Sequence, residues 1–186
     1  MRKGILLPAL AVALLASGAA NATVSVLGNG PASVCFHLAN NPHPNESALA
    51  VCKSALDGDD LSRRDRAATL INLGVIEMEL DRMQAAQNDF NKGIVLMPDM
   101  GEGYLNRGAA FIGQKRFSEA LADINMGLKL GVSRPEIGYY DRAIANEALG
   151  DVKGAYDDYR HALAIEPRFV RASEQLTRFK VVGDGT

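Results

Sequence analysis

The sequence lacks a surplus of positive charge. Twenty lysines and arginines stand against 22 aspartates and glutamates, a net charge of −2 with the three histidines neutral. Such a balance leaves no basic stripe to hold a nucleic-acid backbone or an anionic membrane, so neither is expected as a partner. The one basic run, Arg63-Arg64-Asp65-Arg66, lies close to Asp57, Asp59 and Asp60 and reads as a solvated, locally paired cluster. Catalytic signatures are missing as well: there is no G-x-S-x-G elbow, no H-E-x-x-H pair, no P-loop and no dinucleotide-binding glycine pattern. Asp157 and Asp158 are neighbours, which on a helix turns them about 100° apart, and Glu119 with Asp123 fits an exposed helical face. No enzyme activity, cofactor or metal is expected.

Long apolar runs are absent too. Ile5–Ala16 is too short to cross a bilayer, but Arg2 and Lys3 precede it and the small residues Gly18-Ala19-Ala20-Asn21-Ala22 follow, ending in an A-x-A pattern. These features predict an export leader over residues 1–22, cut after Ala22, and a periplasmic or secreted product with no membrane span once the leader is removed. No cysteine follows that cut directly, which argues against a lipid anchor.

Cysteine is scarce, but its two copies inform. In an exported chain an even count reads first as a disulfide, here Cys35 to Cys52. Each sits in a short helical pattern, residues 31–38 and 47–56, around the breaker-rich turn Asn41-Pro42-His43-Pro44-Asn45. A bridge would supply stability that so short a helix pair cannot gain by burial, about 3 kcal/mol for a loop of this length. His37 and His43 lie between the cysteines, yet the order C-x-H-x₅-H-x₈-C does not match paired zinc-ligand spacing, and the lone His161 reads as a surface residue. Asn45 and Ser47 fit a glycosylation pattern and fit equally a helix start.

What the sequence has in quantity is repetition. Three blocks of about thirty-four residues share a bulky residue (Leu70, Tyr104, Tyr139), a small one four later (Gly74, Gly108, Ala143), then an alanine (Ala86, Ala120, Ala155). A second bulky residue (Phe90, Ile124, Tyr159) and a second small one (Gly93, Gly127, Ala162) follow. Small residues at fixed spacing let two helices pack closely while large ones fill the gaps. Pro98 and Pro167 close the first and third blocks; the second has Val132 there and its proline at Pro135. Helix caps are expected at Ser62 with Asp65, Asp99 with Glu102, and Ser133 with Glu136, and Asp81 and Asp151 mark the turns inside blocks.

This spelling resembles the tetratricopeptide repeat over residues 67–167. The resemblance implies an all-α, right-handed superhelical solenoid of antiparallel helix pairs: repeats over 67–100, 101–135 and 136–167, behind a degenerate, disulfide-stapled pair within 23–66. Phe169, Ala172, Leu176 and Phe179 share one helical face, so residues 168–180 are read as a capping helix, with 181–186 as a fraying tail. The family also implies a concave groove that binds another protein or peptide. In this sequence the groove stripe is Ile71, Asn72, Val75, Met78, Leu105, Asn106, Ala109, Ile112, Tyr140, Asp141, Ile144 and Glu147, mostly apolar. Family members that grip a C-terminal carboxylate use lysines and arginines there, but Ala68, Glu102, Ile137 and Asp141 occupy those places, which disfavours such a clamp. The leading expectation is a non-catalytic interaction module of the bacterial envelope that binds an apolar peptide or helix. The alternatives are a structural subunit that forms a homodimer through this face or fills the groove with its own Thr23–Asn29, and an accessory redox or metal protein using Cys35 and Cys52.

Overall fold

The computed structural model describes residues 4–6, 21–26, 30–58 and 60–182. Most of the expected leader and the tail 183–186 therefore lie outside the described residues. Nine helices are described: α1 (Pro31–Ala39), α2 (Glu46–Asp57), α3 (Arg63–Glu79), α4 (Met83–Leu96), α5 (Gly101–Gly113), α6 (Phe117–Leu130), α7 (Pro135–Ala148), α8 (Val152–Ile165) and α9 (Val170–Leu176). Two short strands, β1 (Gly4–Leu6) and β2 (Lys180–Val182), pair antiparallel, so the C-terminal segment expected to fray from Val181 is paired as far as Val182. The architecture is an all-α solenoid in which α3–α4, α5–α6 and α7–α8 form the three repeated pairs and α1–α2 packs against α3.

The shared small residues stand where helices of a pair meet. A methyl group on Gly74 would come within 2.5 Å of the Phe90 ring, and one on Gly108 within 2.6 Å of Ile124. The bulky partners are correspondingly sealed: Phe90 and Ile124 are fully buried and Tyr159 nearly so. Apolar burial follows the stack in three clusters, one around Ile71, Val75 and Phe90, one around Leu105, Ile124 and Ile137, and one around Tyr140, Tyr159 and Ala172.

Polar side chains add a second repeated tie. Arg107 makes two bonds to Asp123 (2.6 and 2.8 Å) and one to Asn91 of the preceding pair (2.7 Å); Arg142 does the same with Asp158 (2.9 and 2.6 Å) and Asn125 (2.9 Å). Each guanidinium also lies over a tyrosine, Tyr104 or Tyr139. Asp123 is thus a buried, clamped carboxylate and not part of an exposed face, whereas Glu119 is exposed and pairs with Arg116. Bidentate arginine–carboxylate geometry gives these ties direction as well as strength. The first repeat has Leu70 and Leu73 at the corresponding positions and omits the tie.

Helix ends match the sequence unevenly. Ser62 accepts from the Asp65 N–H and starts α3, Asn45 accepts from Ala48 and starts α2, and Asp151 accepts from Gly154 and starts α8. Asp99 and Ser133 do not cap. The helices there begin after Met100 and Arg134 without a side-chain cap, and Glu102 instead accepts from the Ser133 N–H (3.0 Å), tying one repeat to the next. Among the described residues Arg66 is not paired with acids: it donates to the Leu56 and Gly58 carbonyls and so satisfies the end of α2.

The turns inside the repeats share a left-handed residue: Asp81 (φ 60°), Lys115 (φ 61°) and Gly150 (φ 87°). Asp81 therefore serves as a turn residue, and the helix after it begins after Arg82 without a side-chain cap. A side chain in that conformation is strained while glycine is not, so Lys115→Gly is expected to raise the unfolding free energy by about 0.5 kcal/mol. A urea midpoint that falls instead would show that the turn is relaxed.

Candidate functional site

The inner face of the solenoid is not open. Residues 21–26 cross it as an extended strap, burying Ala22, Val24 and Val26 while leaving Ser25 exposed, an alternation that follows from the two-residue period of extended chain. Two asparagines one repeat apart grip its backbone. The Asn72 carboxamide accepts from the Val24 N–H (2.8 Å) and donates to the Val24 carbonyl (2.7 Å). Asn106 accepts from the Ala22 N–H (3.0 Å) and donates to the Ala22 carbonyl (2.7 Å). A carboxamide carries both an acceptor and donors, so one side chain satisfies both polar groups of a residue, as a neighbouring strand would.

The strap is held at its edges as well. Thr23 donates to Asn40 at the end of α1 (2.8 Å), Asn21 donates to Glu79 at the end of α3, and Arg64 reaches the Ser25 carbonyl (3.5 Å). Two residues of extended chain advance about 6.6 Å, comparable to the spacing of packed helices, which is how alternate strap residues meet successive first helices. Strap and repeats run in opposite order: Val24 meets α3 and Ala22 meets α5.

The expected groove stripe sits beneath this strap and within the core. Ile71, Asn72, Val75, Leu105 and Asn106 have no exposed surface, and Met78, Tyr140 and Asp141 are buried. Ile112 and Ile144 are half-buried. The stripe is therefore not a continuous exposed apolar surface, because the chain's own residues cover its first two repeats. Ala22 joins a cluster with Leu105, Ile124, Ile137 and Ala145. Self-filling is expected from the sequence only for Thr23–Asn29, yet Ala22 takes part; its signal is the alternation Ala22-x-Val24-x-Val26, which the leader pattern overlaps.

Asp141 occupies the third-repeat position that Asn72 and Asn106 hold in the first two. It is 1% exposed, its Oδ2 has no hydrogen-bond partner among the described residues, and burial pushes its carboxyl well above the usual range while the Arg171 charge pulls it back. Tyr140 beside it is raised chiefly by burial.

Away from this face, Cys35 and Cys52 form a disulfide with both residues fully buried, which stitches α1 to α2. His161 is exposed and stacks on Tyr139, 5.3 Å between ring centres. Among the described residues no group of three His, Cys, Asp or Glu side chains is placed to hold a metal, and no helix is long and apolar enough to cross a membrane.

No family model matches the sequence and no curated protein aligns with it significantly. Solved structures do match. The crystal structure of MamA superposes with a TM-score of 0.58 at 22% identity, over 69% of this chain and 72% of that one. The Arabidopsis OM64 TPR domain gives 0.59 at 26% identity, over 63% and 96%. The first TPR of Spaghetti (RPAP3), bound to an HSP90 peptide, gives 0.57 at 26% identity, over 60% and 90%. With the same paired-helix geometry as these domains and the repeat spelled three times in its own residues, the chain has the tetratricopeptide-repeat fold.

Proposed function

We propose that this protein is a non-catalytic protein-interaction module of the bacterial cell envelope, whose inner face seats an extended peptide and is occupied in the resting chain by the strap 21–26. One observation carries the reading: Asn72 and Asn106 recognise main-chain N–H and C=O groups, so the seat is specific for extended backbone with small apolar residues at alternate positions. Structural neighbours are described with HSP90 and HSP70 peptides in place, which supports peptide binding as the use of this fold. The ligand here differs in class. No lysine or arginine stands at Ala68, Glu102, Ile137 or Asp141, so an acidic chain terminus has no counter-charge at those places. Export is supported by the charged-apolar-small pattern of residues 2–22 and by a disulfide that an oxidising compartment would maintain.

A partner must displace the strap. Val24→Asp places a charge at a buried strap position without altering any helix, and is expected to expel the strap. In that background a fluorescent peptide of sequence Asn-Ala-Thr-Val-Ser-Val, blocked at both ends, should bind, while wild type shows little binding. Adding Asn72→Ala and Asn106→Ala should weaken it at least about tenfold, since each loses two buried hydrogen bonds. Absence of binding to the Val24→Asp chain would favour the second reading, a structural subunit in which the strap is permanent core, a reading supported by the complete burial of Ala22.

A further inference from the structure

Asn72, Asn106 and Asp141 form a ladder, one rung per repeat, and the strap spends two residues on each of the first two rungs. The third rung lies at the end toward which the strap's N-terminus runs. Ala22 shares its apolar cluster with Ile137 and Ala145, which flank Asp141 one helical turn before and one after on the same face of α7.

The chemistry of the third rung differs from the others. A carboxamide takes an N–H and returns a donor to the carbonyl, so it suits a chain that passes through. A carboxylate can only accept. It suits a nitrogen with several protons and no carbonyl requiring a donor beyond it, which is a chain's beginning. The buried Asp141 Oδ2 has no hydrogen-bond partner among the described residues. Among the described residues, the groups that face this region include Tyr140 on α7 and Arg171, Glu174 and Gln175 on α9, with Arg171 supplying positive charge.

We propose that Asp141 receives the α-ammonium of a mature chain that begins at Asn21. The inference rests on the export reading above. A leader peptidase would hydrolyse the Ala20–Asn21 bond with one water, leaving a carboxylate on Ala20 and an ammonium on Asn21. Gly18-Ala19-Ala20 offers the small-x-small pattern such peptidases take, as Ala20-Asn21-Ala22 does. The structure distinguishes the two sites. A cut after Ala22 would remove a fully buried core residue and leave both polar functions of the Asn106 side chain without their partner, whereas a cut after Ala20 keeps both rungs filled. It also removes β1, so β2 pairs only in the precursor. The leader's removal and the completion of the groove then become one event.

The test uses the full chain exported by a bacterial host. Mass measurement of the intact product and N-terminal sequencing should show a start at Asn21. The α-amine should then react with an acylating reagent near neutral pH at least about tenfold more slowly than a free peptide beginning Asn-Ala-Thr-Val-Ser-Val, because a buried carboxylate holds it protonated. Asp141→Asn, which repeats the carboxamide of the other rungs, should bring the rate back toward the peptide's, with its helical signal checked by circular dichroism. The wild-type comparison stands without the variant. A start at Met1 overturns the export reading and this site together. A start at Thr23, or at any other residue downstream of the leader, overturns this inference and leaves export standing. A start at Asn21 with an α-amine as reactive as the peptide's overturns the assignment to Asp141.

Discussion

Leu105→Asp is expected to lower the melting temperature by about 15 °C, on the basis of about 5 kcal/mol lost and a few degrees per kcal/mol for a chain of this size. Leu105 has no exposed surface, and it contributes to the seam between repeats: a methyl group on Gly138 would come within 3.3 Å of its Cδ1. The substitution removes a buried side chain, worth about 2–5 kcal/mol when cut to alanine, and adds a carboxylate with no cation assigned to it. Because native domains are stable by only about 5–15 kcal/mol, the loss is a large share of the total. Val75→Asp, equally buried in the first repeat, should behave alike. Thermal melting followed at 222 nm measures both. A shift of only a degree or two in either would mean that this face is open in solution and that the strap does not seal it.

Removing the disulfide should act locally and strongly. Cys35 and Cys52 close a loop of 17 residues, for which the chain-entropy account gives about 3 kcal/mol. The helices they join are short, nine and twelve residues, and α1 has no side-chain cap, so little else fixes them. Solenoid units are stabilised chiefly by their nearest neighbours. The double substitution Cys35→Ser, Cys52→Ser should therefore speed amide exchange in residues 31–57 by about a hundredfold, with α5 to α8 little changed. The strap is expected to loosen with it, since Thr23 is tied to Asn40 at the end of α1. Unchanged exchange in α1 and α2 would show that docking against α3 alone holds the pair.

The repeats, their small and large packing residues, the disulfide and the cap at Ser62 were all legible in the sequence, because each depends on spacing within one chain segment. Gly74 opposite Phe90 and Gly108 opposite Ile124 need only the helical period and a fixed turn length to be brought together. Asp99 and Ser133 misled because a capping residue can be named from sequence, but the backbone angle at which each helix starts is set by packing between repeats. Asp123 misled for a related reason. Its exposed-looking pattern within α6 carries no sign of the guanidinium that α5 delivers from the same repeat.

The groove divides along the same line. The sequence spells the two asparagines and the aspartate at repeat spacing, and its resemblance to the repeat family pointed to the residues of the inner stripe, because such positions recur once per helix pair. Only the tertiary structure decided that the stripe is covered and by what. Ala22 meets Asn106 across 84 positions and Val24 meets Asn72 across 48. A contact of that range leaves no local period, and the six residues that make it gain their extended form from asparagines that the fold, and not the neighbouring sequence, sets beside them.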